Sequence, residues 1–330
     1  MNVGVLGAGS WGSALSLVLS HNHNYQISLY HHDNYYDSNN SFKYLNKSIP
    51  KNIKITSFLK EFSMLDIVFI ALPTEFINTV LSEIASKSIS GLTKNTVWVN
   101  CSKGFDFNYE DRFSNTLIKN FDIEKNNFVV LSGPSHAEEV AQKIPTAVVV
   151  SSASQEKSNL IQGLLSNHYF RVYTNPDIAG VEIGGACKNI ISIAAGICVG
   201  LGYGDNTISA LISRGLQEII RLGSVLGADK NTFYGLSGLG DLSVTAFSKF
   251  SRNRQFGIKL GEGVNFDKAQ LDINMVIEGV NATRIVHKIS KKHKISMPIV
   301  NEVYSILFDK KNPKLAINEL MDRQLKQEMI

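Results

Sequence analysis

Lys188 lies in Gly184-Gly185-Ala186-Cys187-Lys188-Asn189, inside an otherwise apolar stretch. A charged amine is expensive there unless it faces a cleft or a partner. Desolvation favours the neutral amine, which can take a proton from a hydroxyl and, as its conjugate acid, return one to a carbonyl oxygen. The alternative is a lysine that snorkels from its helix into water. Gly235-Leu236-Ser237-Gly238-Leu239-Gly240-Asp241-Leu242 reads as a glycine-rich loop with one acid, and Ser251-Arg252-Asn253-Arg254 follows soon after. Together they look like a ligand clamp. Asp241 is suited to hold a hydroxyl or to tune Lys188, and Arg252 to grip a phosphate through its planar fork. Asn100-Cys101-Ser102-Lys103-Gly104 offers a further cation, Lys103, beside a donor-rich turn, and Ser132-Gly133-Pro134-Ser135-His136-Ala137 offers backbone N–H groups to an anion. His136, alone in its turn, reads as a hydrogen-bonding residue rather than as a catalyst.

These segments need a frame. Val3-Gly4-Val5-Leu6 reads as a strand, followed by Gly7-Ala8-Gly9-Ser10-Trp11-Gly12 and a helix over about 10–22. That context predicts a dinucleotide turn: Gly7 for the tight bend, Gly9 for approach of a pyrophosphate, and Gly12 for close packing of helix on strand. The helix N-terminus supplies the anion-binding field. Further apolar strands are expected at 26–30, 66–72, 96–100, 128–131, 147–150 and 170–173, with helices near 75–87 and 109–119. Short apolar strands alternating with helices mean an α/β fold, an N-terminal Rossmann doubly wound parallel sheet. Lys103 and the 132–137 turn then follow carboxyl ends of strands, where open sheets place ligands. After Asn175-Pro176-Asp177 no convincing strand follows, and helices are expected near 177–202, 205–227, 250–262, 279–293, 298–308 and 313–322. The expected division is a nucleotide-binding domain at 1–176 and an all-helical C-terminal, substrate-binding domain at 177–330.

Composition bounds the partners. The 330 residues carry 33 basic and 29 acidic side chains, a net charge of +4, and 44% hydrophobic residues. This suits an anionic small molecule and does not call for nucleic acid. Three cysteines without metal-ligand spacing imply no metal site and a reducing, cytoplasmic location. The first strand is expected almost at Met1, so no signal peptide is expected. The longest apolar stretch, 190–201, is too short to cross a membrane, so no membrane partner is expected.

The ordered set GAGSWG, SKG, GPSHA, ACKN, GLGD and SRNR, with Glu278-Gly279 after it, resembles the NAD(P)-dependent glycerol-3-phosphate dehydrogenases, especially the bacterial type. The resemblance runs from residue 1 to beyond 280 and covers both expected domains. It implies interconversion of dihydroxyacetone phosphate and sn-glycerol 3-phosphate, with Lys188 as proton acceptor and Lys103 as the cation near the reacting oxygen and the nicotinamide. It also implies substrate contacts at Gly133, Ser135, Asp241, Ser251, Arg252 and Asn253, and cofactor contacts at Ser10, Trp11, His32, Ala137, Val276 and Glu278, bordered by Lys103 and Arg252. An acid ending the second strand would bond a ribose 2′-hydroxyl, but Tyr30 is followed by His31 and His32, with Asp33 only after them. This favours NADP, with NAD tolerated, and departs from relatives that carry arginine there. A homodimer is left open.

Overall fold

The computed structural model describes residues 1–32, 41–62, 65–86, 95–325 and 327–328. Asp33, weighed above for cofactor choice, lies outside them. The chain divides into two compact units, Met1–Gly185 with Leu226–Asp241, and Ala186–Val225 with Leu242–Ile330.

In the first unit the chain order is β1 (Asn2–Leu6), α1 (Ser10–Leu19), β2 (Gln26–Tyr30), β3 (Ser41–Phe42), β4 (Lys47–Ser48), β5 (Ile53–Thr56), β6 (Ile67–Ile70), α2 (Thr74–Ser86), β7 (Val97–Asn100), α3 (Phe113–Asn120), β8 (Phe128–Ser132), α4 (Ala137–Ala141), β9 (Thr146–Ser152), α5 (Gln155–Leu165) and β10 (Phe170–Asn175). Eight strands form one sheet in the order β10-β9-β8-β7-β6-β1-β2-β5, and β3 and β4 form a separate small hairpin. The order turns back at β1, the mark of a doubly wound sheet. Alternate residues feed two cores: Val3, Val5, Leu29 and Phe69 pack with Leu15 and Val18 of α1, while Leu6, Val68 and Ile70 pack with Ile77 and Val80 of α2. Strands buried on both faces explain the continuous apolar runs of the sequence.

Two details differ from the sequence expectation. The sheet is not wholly parallel, because β8 and β9 run antiparallel, Ser132 opposite Val149. A parallel return needs a covering crossover, and the link between these strands holds only the five-residue α4. The edge strand β5 was not foreseen: Ile53-Lys54-Ile55-Thr56 alternates in a run of four, too short to stand out.

Beyond β10 every described helix or turn is strand-free: α6 (Ile178–Gly200), α7 (Asp205–Val225), a π-turn at Leu236–Gly240, α8 (Asp241–Phe247), α9 (Arg252–Gly261), α10 (Phe266–Ile273), α11 (Glu278–Lys292), α12 (Pro298–Phe308) and α13 (Pro313–Met321). The segment 235–242, expected as a loop, is therefore helical, and α8 and α10 are additional. Within the second unit α6 and α9 touch backbone to backbone: a Cβ at Gly196 would overlap the Arg254 carbonyl, and one at Gly257 the Ile193 carbonyl. This close approach is what the small residues of α6 permit. At 23 residues α6 is long and apolar enough to cross a membrane, contrary to the shorter stretch read from sequence, but most of its apolar span is buried within the fold. That is the signature of a core helix.

Candidate active site

The glycine turn follows β1. Gly7 has φ +111°, a conformation that penalises any side chain, and its N–H donates to the Tyr30 carbonyl at 3.2 Å. A Cβ at Gly12 would overlap the Gly7 carbonyl oxygen, so α1 can start this close to β1 only with glycine there. A Cβ at Gly9 would meet nothing within 4 Å. The open side of Gly9 leaves backbone accessible at the start of α1, whose first turn carries no acidic side chain and no side-chain cap. These are the conditions under which a helix N-terminus receives a phosphate. Beside it, Trp11 Nε1 is buried without a hydrogen-bond partner among the described residues. The residues present fit a dinucleotide.

After β7, Asn100 Oδ1 accepts from the Ser102 N–H at 3.1 Å, and Ser102 Oγ donates to the Leu72 carbonyl at 2.6 Å. This ties the turn to the loop following β6 and sets the direction of Lys103. The Lys103 ammonium donates to Asp241 Oδ2 at 2.7 Å, to the Gly133 carbonyl at 2.8 Å and to Ser135 Oγ at 3.5 Å. Asp241 is 1% exposed and the lysine side chain 18% exposed, so one end of the pair remains reachable. Gly133 holds φ +126° so that this carbonyl can turn toward the amine. The π-turn 236–240 delivers Asp241 to its place; Gly184 permits the approach, since a Cβ there would lie 2.6 Å from the Ser237 carbonyl oxygen. π-turns of this kind are frequent at functional sites.

In the second unit Lys188 is 7% exposed and its ammonium donates to Thr245 Oγ1 at 2.9 Å. One turn further along α6, Ser192 Oγ donates to the Thr245 carbonyl and lies 2.9 Å from Ser251 Oγ. Ser251 caps α9 by accepting from the Arg254 N–H at 3.2 Å. Asn253 Nδ2 donates to Asn189 Oδ1 at 3.0 Å, while its own Oδ1 accepts from the Gly279 N–H at 2.9 Å. A buried polar network therefore surrounds the amine, each member tied to another, which fixes rotamers in a low-dielectric setting. Arg252 at the start of α9 is exposed, and its guanidinium donates to the Val276 carbonyl at 3.4 Å. Glu278 opens α11, half-buried.

The structure thus groups Lys103, Gly133, Ser135 and Asp241 in the first unit, and Lys188, Ser251, Arg252, Asn253 and Val276 in the second. Asp241 is bonded to Lys103. His32 is exposed just past β2, Ala137 is buried at the start of α4, and Ser10 and Trp11 open α1. Asn189, Ser192 and Thr245 were not singled out from sequence. The helical period was the available signal, because Asn189 and Ser192 fall one residue and one turn from Lys188. The three thiols are buried, and burial raises Cys101 and Cys187 well above the usual thiol range and Cys198 to about 11. They are not nucleophiles. Among the described residues no group of three or more His, Cys, Asp or Glu side chains is placed to hold a metal ion.

A doubly wound sheet with an anion-receptive glycine turn, accompanied by helices that carry a buried lysine, defines a nucleotide-dependent dehydrogenase class. Two family models match, those described as NAD-dependent glycerol-3-phosphate dehydrogenase N-terminus over residues 2–158 and C-terminus over residues 177–318. The glycerol-3-phosphate dehydrogenase [NAD(P)+] of Clostridium botulinum (strain Eklund 17B / Type B) is 42% identical over 334 residues, covering 99% of each chain. That of Thermoanaerobacter sp. (strain X514) is 45% identical over 335 residues, covering 100% of this chain and 99% of the relative. The crystal structure of glycerol-3-phosphate dehydrogenase from Coxiella burnetii superposes with a TM-score of 0.90 at 35% identity, covering 98% of this chain and 99% of that one. The chain belongs to the NAD-dependent glycerol-3-phosphate dehydrogenase family.

Proposed function

We propose that the chain interconverts dihydroxyacetone phosphate and sn-glycerol 3-phosphate, using NADPH in preference to NADH, and in the reducing direction supplies the glycerol backbone of phospholipids. The observation that carries this reading is the second unit's polar network. It holds a buried amine, Lys188, through Thr245 and Ser192 to the start of α9, where Ser251, Arg252 and Asn253 present donors suited to a phosphate. A substrate that is both a ketone and a phosphate monoester uses both ends.

A bound nicotinamide would supply the hydride chemistry at the substrate's central carbon. Gly7, Gly9 and Gly12, with Ser10 and Trp11, would hold its pyrophosphate at the start of α1, and His32 and Ala137, with Val276 and Glu278, would border the remainder. Lys188 gives a proton to the oxygen that becomes the secondary hydroxyl and recovers it on oxidation. Lys103, its ammonium fixed by Asp241 and the Gly133 carbonyl, polarises the carbonyl oxygen as negative charge develops there. Anchoring of the phosphate confines a small substrate to a reactive pose. The preference for NADPH rests on positions 30–32, Tyr-His-His, which offer no carboxylate to repel a 2′-phosphate.

The free buried thiols support a cytoplasmic location, and the internal burial of α6 supports action without a membrane partner. The test is direct. Purified protein is mixed with dihydroxyacetone phosphate and either reduced cofactor, and the loss of reduced-ring absorbance is followed. Turnover that needs the substrate phosphate, faster with NADPH, is expected; absence of oxidation with both cofactors overturns the reading.

A further inference from the structure

The second unit contains a cavity of about 660 Å³ among α6, α7, α12, α13 and the segment after α13. The hollow is open to solvent on one side, and its volume falls in the range of about 300–1,000 Å³ typical of small-molecule sites. None of the residues assigned above to cofactor or substrate lines it. Its walls are apolar, with Leu211, Ile299, Val303, Ile306, Ile317 and Leu320 among them. At its margin Met321 and Leu325 are 77% and 94% exposed, apolar side chains that an occupant would cover.

One side of the cavity carries three guanidiniums with a carboxylate among them. Arg214, Glu218 and Arg221 lie on one stripe of α7, at spacings of four and three residues, and Arg323 joins them from beyond α13. The acids nearby are largely committed. Glu218 spends both carboxylate oxygens on the N–H groups of Ile299 and Val300, at 2.7 and 3.1 Å, capping α12. Glu302 pairs with Lys311 at 2.6 Å. Glu328 also borders the cavity, and its main-chain carbonyl accepts from Arg214 at 3.5 Å. Arg221 donates to another main-chain carbonyl, that of Ser296, at 2.9 Å. Burial pulls the Arg221 guanidinium below its ordinary value; Glu218 counters this, and the charges of Arg214 and Arg323 add to it. Three guanidiniums beside an apolar hollow, two of them bonded to neutral carbonyls, complement one kind of molecule.

We propose that this cavity binds a single-chain anionic amphiphile, a fatty carboxylate or a monoalkyl or monoacyl phosphate, with its chain in the apolar hollow and its head among Arg214, Arg221 and Arg323. The assignment is independent of the dehydrogenase reading, since it involves other residues and is read by binding alone. Its logic is that of two signals in one ligand. The chain contributes through each methylene removed from water and the head through charge-assisted hydrogen bonds, so neither half alone suffices.

The test is calorimetric titration of the full chain with decanoate, dodecanoate and tetradecanoate, and separately with dodecyl phosphate, all below their micelle concentrations. Dodecanol and octyl glucoside serve as uncharged controls. Saturable binding at one site is expected, tightening about fourfold per methylene until the hollow is full. Whether dodecanoate or dodecyl phosphate binds more tightly identifies the head, and either ranking supports the site. Arg214→Ala is expected to weaken binding about tenfold while keeping the chain-length dependence. Leu211→Trp, which fills the hollow, is expected to abolish it. Both variants should retain the parent's thermal transition and basal reductase rate. Absence of saturable binding, equal affinity for the uncharged controls, or unchanged affinity in both variants overturns the proposal. So does a protein that sedimentation shows to be a dimer and that binds the amphiphile only at concentrations low enough to dissociate it, because a second copy would then be the natural occupant.

Discussion

Replacing Asp241 by asparagine removes one charge and leaves the volume of the side chain almost unchanged. In the parent, Asp241 Oδ2 receives the Lys103 ammonium at 2.7 Å from a position 1% exposed, and the same ammonium reaches the Gly133 carbonyl at 2.8 Å. The asparagine oxygen can still accept, so geometry is preserved while the counter-charge is lost. Breaking a buried pair by removing one partner costs about 3–5 kcal/mol. The lysine side chain is 18% exposed and keeps a carbonyl acceptor, which reduces the loss of stability to about 2 kcal/mol. For catalysis the relevant term is the hydrogen bond to a charged group that fixes the amine, about 1.5–3 kcal/mol, or roughly 10- to 100-fold in kcat/KM. Urea unfolding supplies the first number and steady-state oxidation of NADPH the second, with cofactor affinity measured separately by fluorescence and expected to stay within about twofold of the parent. A variant with parental kcat/KM would show that the pair does not position Lys103 for chemistry. One with weakened cofactor affinity and parental kcat would place the pair's effect on nucleotide binding instead.

Gly12→Ala forces a Cβ into the Gly7 carbonyl oxygen, so α1 must retreat from β1; dinucleotide affinity should fall by about 100-fold or more, and unchanged affinity in a binding titration would refute the proposed role of the turn. Lys188→Ala should lower kcat by about 10²–10⁴-fold while cofactor binding persists, and parental turnover would reject the base assignment. Glu218 gives a pH signature. Burial raises its carboxyl to about 7 in the folded protein, so stability is fully present below the ordinary value near 4.5 and is lost as pH rises toward 7, by about 3 kcal/mol over the window. Glu218→Gln should flatten that slope in denaturant titrations across pH 4.5–7, and an identical slope in the variant would assign the dependence elsewhere. The thiols at 101 and 187 should react with an aromatic disulfide reagent only after unfolding, and rapid labelling of both in the native chain would contradict their burial.

The parts of the site written in consecutive residues were legible in the sequence. Gly7, Gly9 and Gly12 announce their roles because strand, turn and helix are neighbours in the chain, and each glycine answers a local steric demand. Lys188 stood out for a related reason: it interrupts an apolar helical period, and a single mismatch of polarity is visible without knowing what surrounds it. The antiparallel return of β9 and the edge strand β5 were not legible. The first depends on the length of the connection against the reach of a crossover, and the second on four residues, below the length at which alternation separates strand from loop.

Partnership is the larger loss. Lys103 and Asp241 are 138 positions apart, and Lys188 and Thr245 are 57 apart, so no periodicity connects them. The sequence presented Asp241 as suited to hold a hydroxyl or to tune Lys188, and the fold bonds it to Lys103 through a segment that composition marked as a loop. The glycines at 235, 238 and 240 are the reason that segment reads as a loop. A glycine run signals freedom when considered alone, yet here Gly184 lets the Ser237 carbonyl approach to a distance that a Cβ would block, and Gly238 lies against the Phe233 carbonyl. The same residue type therefore denotes mobility or close packing according to what lies opposite. What lies opposite is fixed by tertiary structure, so a glycine-rich segment ending in a lone acid is better read as a rigid mount for that acid whenever a second small-residue helix exists in the chain to receive it.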